Sequence, residues 1–159
     1  CVVRVGNLKD SGLIARPLGK LSVINCASPD YLTRFGYPET LDDLGSHALI
    51  HYSATLGTRP LGFEYFNGSA TQWIKTGGVL TVNSTETYQA ACIAGLGIIQ
   101  VPRVGVRDAL RTKKLVEILP QYRAEPMPVS LIYPHRRNLS RRVHVFMEWL
   151  TELTKSYVD

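Results

Sequence analysis

Two hydrophobic periods alternate along this chain. Short β-rich runs recur, and between them lie stretches whose apolar residues return every three or four positions. "CVVRV" (1–5) and "LIARPL" (13–18) read as extended runs, and Pro17 keeps the second from a central strand. "LSVINCA" (21–27) reads as a third strand. A short helix follows in "SPDYLTRFG", with Ser28 as N-cap, Pro29 at the first helical position and Gly36 as the stop. "TLDDLGSH" gives another helical turn capped by Thr40, and "ALIHY" (48–52) a strand. In "FEYFNGSATQWI" (63–74) two β-rich runs flank Asn67-Gly68, the pair that favours a type I′ hairpin turn.

"GGVLTVNS" is the next strand. Asn83 and Glu86 have the spacing of a capping box, and a helix runs from about Ser84 to Ala94. Tyr88, Ala91, Cys92 and Gly95 form its buried face. "GIIQVP" is a short buried strand, "VRDALRTKK" a short helix, "LVEIL" (115–119) a strand, "YRAEPMP" a Pro-rich link and "VSLIYP" a last strand. The closing helix, "SRRVHVFMEWLTELTKSY", carries the stripe Val143, Phe146, Met147, Leu150, Leu153 and Tyr157.

Strands alternating with helices predict an α/β fold. "CIAGLGIIQVP" (92–102) looks at first like a nucleotide loop. A dinucleotide fingerprint, however, runs strand, glycine turn, helix, so that phosphate meets a helix N-terminus. Here the order is helix, Gly-Leu-Gly, strand. Gly95 is therefore predicted as a left-handed helix stop, and Gly97 as a close backbone passage.

Composition changes this picture little. The chain has 159 residues, 45% hydrophobic and 19% charged, which suits one sizeable domain or two small lobes. No apolar run is long enough to cross a bilayer. The start has no signal-peptide pattern and no initiator Met, so residues preceding Cys1 are expected in the natural protein. Cys1, Cys26 and Cys92 form no CxxC, which predicts buried thiols and a cytoplasmic protein. Histidines 47, 51, 135 and 144 share no metal-ligand spacing, and Asp42-Asp43 reads as a helix start. With no nucleophile elbow and no HExxH, the expectation is no catalytic residue, no metal and no cofactor. The net charge is +5, and "PHRRNLSRRVH" gathers His135, Arg136, Arg137, Arg141, Arg142 and His144 around Ser140. That basic knuckle reads as a solvated surface, an anion site or a contact to an acidic partner.

"CVVRVGNLKDSGLIARPLG", "CASPDYLTRFGYPETLDDLGSHALI", "AGLGIIQVP" and "YPHRRNLSRRVHVFMEWL" stand in one order over nearly the whole chain. In that order they resemble the C-terminal effector-binding domain of LysR-type transcriptional regulators. The resemblance implies a two-lobed α/β fold like that of periplasmic solute-binding proteins of type II, with two crossover strands and a small effector between the lobes. It places 1–19 and 130–159 in an incomplete lobe I and 20–129 in lobe II. The winged helix-turn-helix that binds DNA, and carries much of the pairing into dimers and tetramers, is absent. An incomplete lobe I is expected to expose a sheet edge and part of a core.

In two-lobed α/β sensors, ligands sit at strand carboxyl ends and helix N-termini. That selects Ala27 and Ser28 after the first crossover, Tyr52, Ser53 and Thr55 after "ALIHY", and Asn83, Ser84 and Thr85 at the helix start. Their hydroxyls and backbone N–H groups suit a carboxylate or another polar effector. Two other readings compete: a solute-binding protein of a transport system, which shares the fold, and a small α/β enzyme, which lacks its motifs here.

Overall fold

The structure, a computed structural model, describes residues 1–7, 13–134 and 140–158. In chain order its strands are β1 (Val2–Val5), β2 (Leu13–Leu21), β3 (Val23–Ala27), β4 (Ala48–Tyr52), β5 (Phe63–Phe66), β6 (Thr71–Ile74), β7 (Gly77–Val82), β8 (Ile99–Pro102), β9 (Val116–Ile118) and β10 (Met127–Pro134). The helices are α1 (Pro29–Phe35), α2 (Thr85–Ile93), α3 (Arg107–Arg111) and α4 (Arg141–Thr154). The chain divides into two compact units, Cys1–Ser22 with Pro126–Asp159, and Val23–Glu125.

In the first unit β10 lies between β1 and β2, antiparallel to both. Pro17 lies on the edge strand β2, where its missing N–H costs no ladder bond. Leu18 is bulged out, because Val129 pairs with Gly19 and Ser130 with Pro17. β2 is longer than the sequence suggests. It continues to Leu21, and Ser22 alone separates it from β3. The Pro-rich link is likewise shorter, since Met127 and Pro128 pair with Leu21 and Lys20.

The closing helix corrects the predicted stripe. Met147 is buried and Val143 and Leu150 are half-buried, but Phe146, Leu153 and Tyr157 are exposed, as are Val145 and Trp149. The covered line runs through Val143, Met147, Leu150 and Thr154, one narrow face of the helix. A second apolar face stays open, with the Phe146 and Trp149 rings 5.7 Å apart. All four residues of β1 are exposed as well. Of the basic knuckle, Arg141 and Arg142 open α4, whereas His135, Arg136 and Arg137 lie outside the described residues.

The second unit is built on β3, which is buried along its whole length between β8 and β9, antiparallel to both. Parallel β4 and β7 extend this arrangement through a bridge between Leu49 and Ile98. Successive side chains of a strand point to opposite faces. Ile24, Cys26, Ile50, Ile99 and Val101 therefore pack with Tyr88, Ala91 and Cys92 of α2. Ala27, Leu49, Ile98 and Ile118 pack on the other side with Tyr31, Leu32, Leu44 and Phe63. Cys26 and Cys92 are free, buried thiols. Burial pushes Cys26 up to about 12 and raises Cys92 as well, so both remain protonated and unreactive near neutral pH.

The glycine segment is a helix stop. Gly95, at φ +76°, donates to Cys92 O at 3.0 Å, and Leu96 N donates to Ala91 O at 3.1 Å. These are the two bonds of a Schellman motif. Arg34 Nη2 caps the same end by donating to Gly95 O at 2.6 Å. Gly97 is a place of contact, because a Cβ there would lie 2.6 Å from Ala48 O.

Local chemistry differs from expectation at three turns. The β5–β6 connection is a four-residue loop, Asn67 to Ala70, in which Asn67 Oδ1 accepts from the Ser69 and Ala70 N–H groups. Asn67 does not have the positive φ that a type I′ turn needs, so its side chain makes the turn instead. Thr40 is not a cap: its N–H and hydroxyl donate to Asp43 Oδ2, at 2.8 and 3.0 Å. At α2 the cap is Ser84, one residue beyond Asn83, and its Oγ accepts from Thr87 N at 3.3 Å.

His47 ends a short 3-10 turn, Asp42–Ser46, and His51 lies on β4. Burial pulls His47 below the ordinary histidine range, against the pull of Asp43, and burial lowers His51 too. His47 Nδ1 lies 3.2 Å from the Tyr31 hydroxyl, which accepts the Ala48 N–H at 2.8 Å. Protonation would place a charge on this buried ring beside that hydroxyl. Because the folded pKa is depressed, stability is fully present above the unfolded value of about 6.5 and falls as pH drops toward the folded pKa. We expect the melting temperature to fall between pH 7.5 and 5.5, and to fall less in His47→Gln. An equal fall in both proteins would remove His47 from the account.

Candidate functional site

The parallel pair β4 and β7 ends at Tyr52 and Val82, and two connections leave side by side. Ser53 N donates to Val82 O at 2.8 Å, which ties the loop after β4 to the entrance of α2. Tyr52 lies on the α2 face of its strand, as Ile50 does, and packs its ring 5.8 Å from that of Tyr88 at 55°. Tyr88 is a fixed wall. Its hydroxyl accepts from Gln100 N at 3.0 Å and lies 3.3 Å from Gln100 O. Tyr52 remains 48% exposed, an aromatic platform beside the first turn of α2.

The loop is tied on itself. Ser53 Oγ donates to Thr55 O at 2.7 Å and lies 2.8 Å from Thr58 Oγ1, which donates to the same carbonyl at 2.9 Å. The Ser53 hydroxyl is thus committed to shaping the loop. The Ser84 hydroxyl is committed as well: besides accepting from Thr87 N, it donates to Glu86 Oε2 at 2.7 Å. That bond first, then the residue's own N–H and the Thr85 hydroxyl, hold the Glu86 carboxyl below the usual carboxylate range. Among the described residues, no internal hydrogen bond engages the Tyr52 hydroxyl, the Thr55 hydroxyl or the Asn83 amide. These are the polar groups left for a ligand.

The structure thus brings together Tyr52, Ser53, Thr55, Asn83, Ser84 and Thr85. It does not bring Ala27 and Ser28 to them. β8 runs parallel to β4 and antiparallel to β3, so the carboxyl end of β3 lies at the opposite end of the sheet from Tyr52. Ser28 caps α1 through Tyr31 N at 3.3 Å and sits by Gly95, at the far end of α2. The nine residues of α2 put about 13 Å between the two places. Both residues are buried, and Ser28 is a helix cap. The sequence shows that a residue follows a strand but not which way the strand runs, so it does not separate these two residues from the others. Glu86 was legible as a capping residue, but not as the group that takes the Ser84 hydroxyl.

Among the described residues, no group of three or more His, Cys, Asp or Glu stands close enough to hold a metal ion. No helix among them is long and apolar enough to cross a membrane.

An α/β chain in two units, with a polar surface at the carboxyl ends of parallel strands and a helix start beside it, belongs to the class of ligand-sensing domains with the type II solute-binding fold. Residues 1–155 match the LysR substrate binding domain, and the chain belongs to that family. It is 60% identical over 159 residues to YhjC of Escherichia coli strain K12, described as an uncharacterized HTH-type transcriptional regulator. That match covers 100% of this chain and 53% of the relative. The full-length structure of the Vibrio cholerae virulence activator AphB superposes with a TM-score of 0.79 at 28% identity, over 94% of this chain and 50% of that one. The regulatory domain of CrgA from Neisseria meningitidis gives 0.78 at 25% identity, over 95% and 73%. The chain spans about half the length of the curated relatives it matches. It is an effector-binding domain of the LysR-type regulators.

Proposed function

We propose that this domain senses a small polar molecule at the surface formed by Tyr52, Thr55 and Asn83, with Ser53, Ser84 and Thr85 holding the loop and the helix start in place. The observation that carries this reading is the joining of the two connections, through Ser53 N to Val82 O and through the packing of Tyr52 on Tyr88. The domain binds and does not catalyse. Its parent works in the cytoplasm, binds DNA through a winged helix-turn-helix outside this chain, and assembles as a dimer or tetramer. Residues outside this chain complete lobe I and cover the open faces of β1 and α4. Ala27 and Ser28 are left out of the ligand surface, since they serve the other end of the sheet.

The test is transcriptional. In the parent regulator, Tyr52→Ala and Asn83→Ala are expected to leave operator binding intact and to reduce the effector-dependent change in a reporter at least several-fold. A reporter response equal to that of the unsubstituted protein in both variants would place the effector elsewhere.

A further inference from the structure

We infer that, in this chain alone, the open face of α4 binds a second copy of the chain, with the two helices antiparallel. The pairing is independent of the effector surface proposed above. In the parent regulator, the residues that complete lobe I take the same face instead.

α4 buries one side and leaves another apolar side open. Val145, Phe146, Trp149 and Leu153 remain 58%, 47%, 56% and 45% exposed. In an α-helix these four positions fall within about 100° of the circumference, so they form one continuous stripe and not scattered surface side chains. Arg141 and Arg142 line an open groove together with Val145, Phe146 and Trp149. Charge then selects the occupant and its direction. The first turn of α4 holds two arginines and no acid, and Ser140 makes no side-chain cap bond. Cations at that end oppose the helix dipole. Glu148 and Glu152 follow in the second half, exposed, and with Arg141 they share one flank of the stripe within about 40°.

Packing a second copy about a twofold axis brings the same flanks of the two helices together in reverse order. The arginines of one copy then lie beside the glutamates and the negative dipole end of the other. A parallel pair would instead set like charges side by side. With Val145 of one copy across from Trp149 of the other, Arg141 comes level with Glu152. Lys155 holds Oε1 of Glu152 at 2.6 Å within its own chain, and among the described residues Oε2 has no partner. A stripe this small buries less than the roughly 800 Å² per partner of a standard interface, so the pairing is weak, with a Kd of roughly 10 to 100 µM.

Analytical ultracentrifugation of the chain over roughly 5 to 500 µM reads this directly. The mass is expected to rise with concentration from the 17.7 kDa of one chain toward that of two. Trp149→Glu, at an exposed position, is expected to keep the mass of one chain throughout. Arg141→Glu tests the same face without touching its apolar residues. It is expected to weaken pairing at least fivefold, and Arg141→Glu combined with Glu152→Arg is expected to restore it. The mass of one chain at every concentration overturns the inference and leaves the face to residues outside this chain. A dimer that Trp149→Glu leaves intact overturns it as well, because the copies then meet elsewhere. Weakening by Arg141→Glu that Glu152→Arg does not restore overturns the antiparallel arrangement.

Discussion

Asn25→Ala is expected to destabilise the second unit by about 3 kcal/mol, near the upper end for a single polar substitution. Asn25 is completely buried in the central strand β3. Its Nδ2 donates to Leu119 O at 3.1 Å and to Tyr122 O at 2.9 Å, while its Oδ1 accepts from Gln100 Nε2 at 2.8 Å. Gln100 continues the network into the hairpin, donating to Glu64 O at 2.7 Å and accepting from Glu64 N at 2.8 Å. Alanine would strip one partner from each of three buried or half-buried groups and leave a cavity. It would also release Leu119, a leucine held at φ +46°. Urea unfolding followed by circular dichroism measures the loss. A change below about 1 kcal/mol would mean that the network contributes little beyond packing.

Gly97→Ala is expected to cost a similar amount, about 3 kcal/mol, for a steric reason. The added Cβ would sit 2.6 Å from Ala48 O and 3.2 Å from its carbonyl carbon, both backbone atoms of β4. That oxygen accepts the Ile98 N–H at 2.9 Å, and Ile50 N donates to Ile98 O at 2.9 Å. These bonds join β4 to the chain entering β8, so the clash cannot be relieved by rotating a side chain. The strands must separate, and the loop that presents Tyr52 and Ser53 follows β4 directly. Denaturant titration of Gly97→Ala against the unsubstituted chain decides the point, and a midpoint unchanged within error would contradict the close packing described.

The sequence was most informative where one local rule acts alone. The fully buried β3, the Ser28 cap, the left-handed Gly95 and the buried Tyr88, Ala91 and Cys92 all follow from short-range spacing or from a single conformational demand. It was least informative where several side chains compete for one backbone donor. Ser84 displaced Asn83 as the cap, Asp43 reversed the role given to Thr40, and the Asn67 side chain replaced a I′ turn. On α4, periodicity identified the apolar positions but not how many of them a neighbouring surface covers. The site shows the same limit. Tyr52 was readable as the end of a strand and Asn83 as the residue after one, whereas their proximity depends on β4 and β7 being parallel neighbours, and the separation of Ser28 depends on β3 running the other way.

If the effector meets this domain at the ends of β4 and β7, its stabilising effect must depend on Tyr52 and Asn83. The most direct measurement is a thermal-shift screen of the complete effector domain against polar metabolites, repeated for each stabilising compound in Tyr52→Ala and Asn83→Ala. At least one compound is expected to raise the melting temperature of the unsubstituted domain, and both substitutions are expected to remove the rise. A stabilising compound whose effect is the same size in both variants would contradict it.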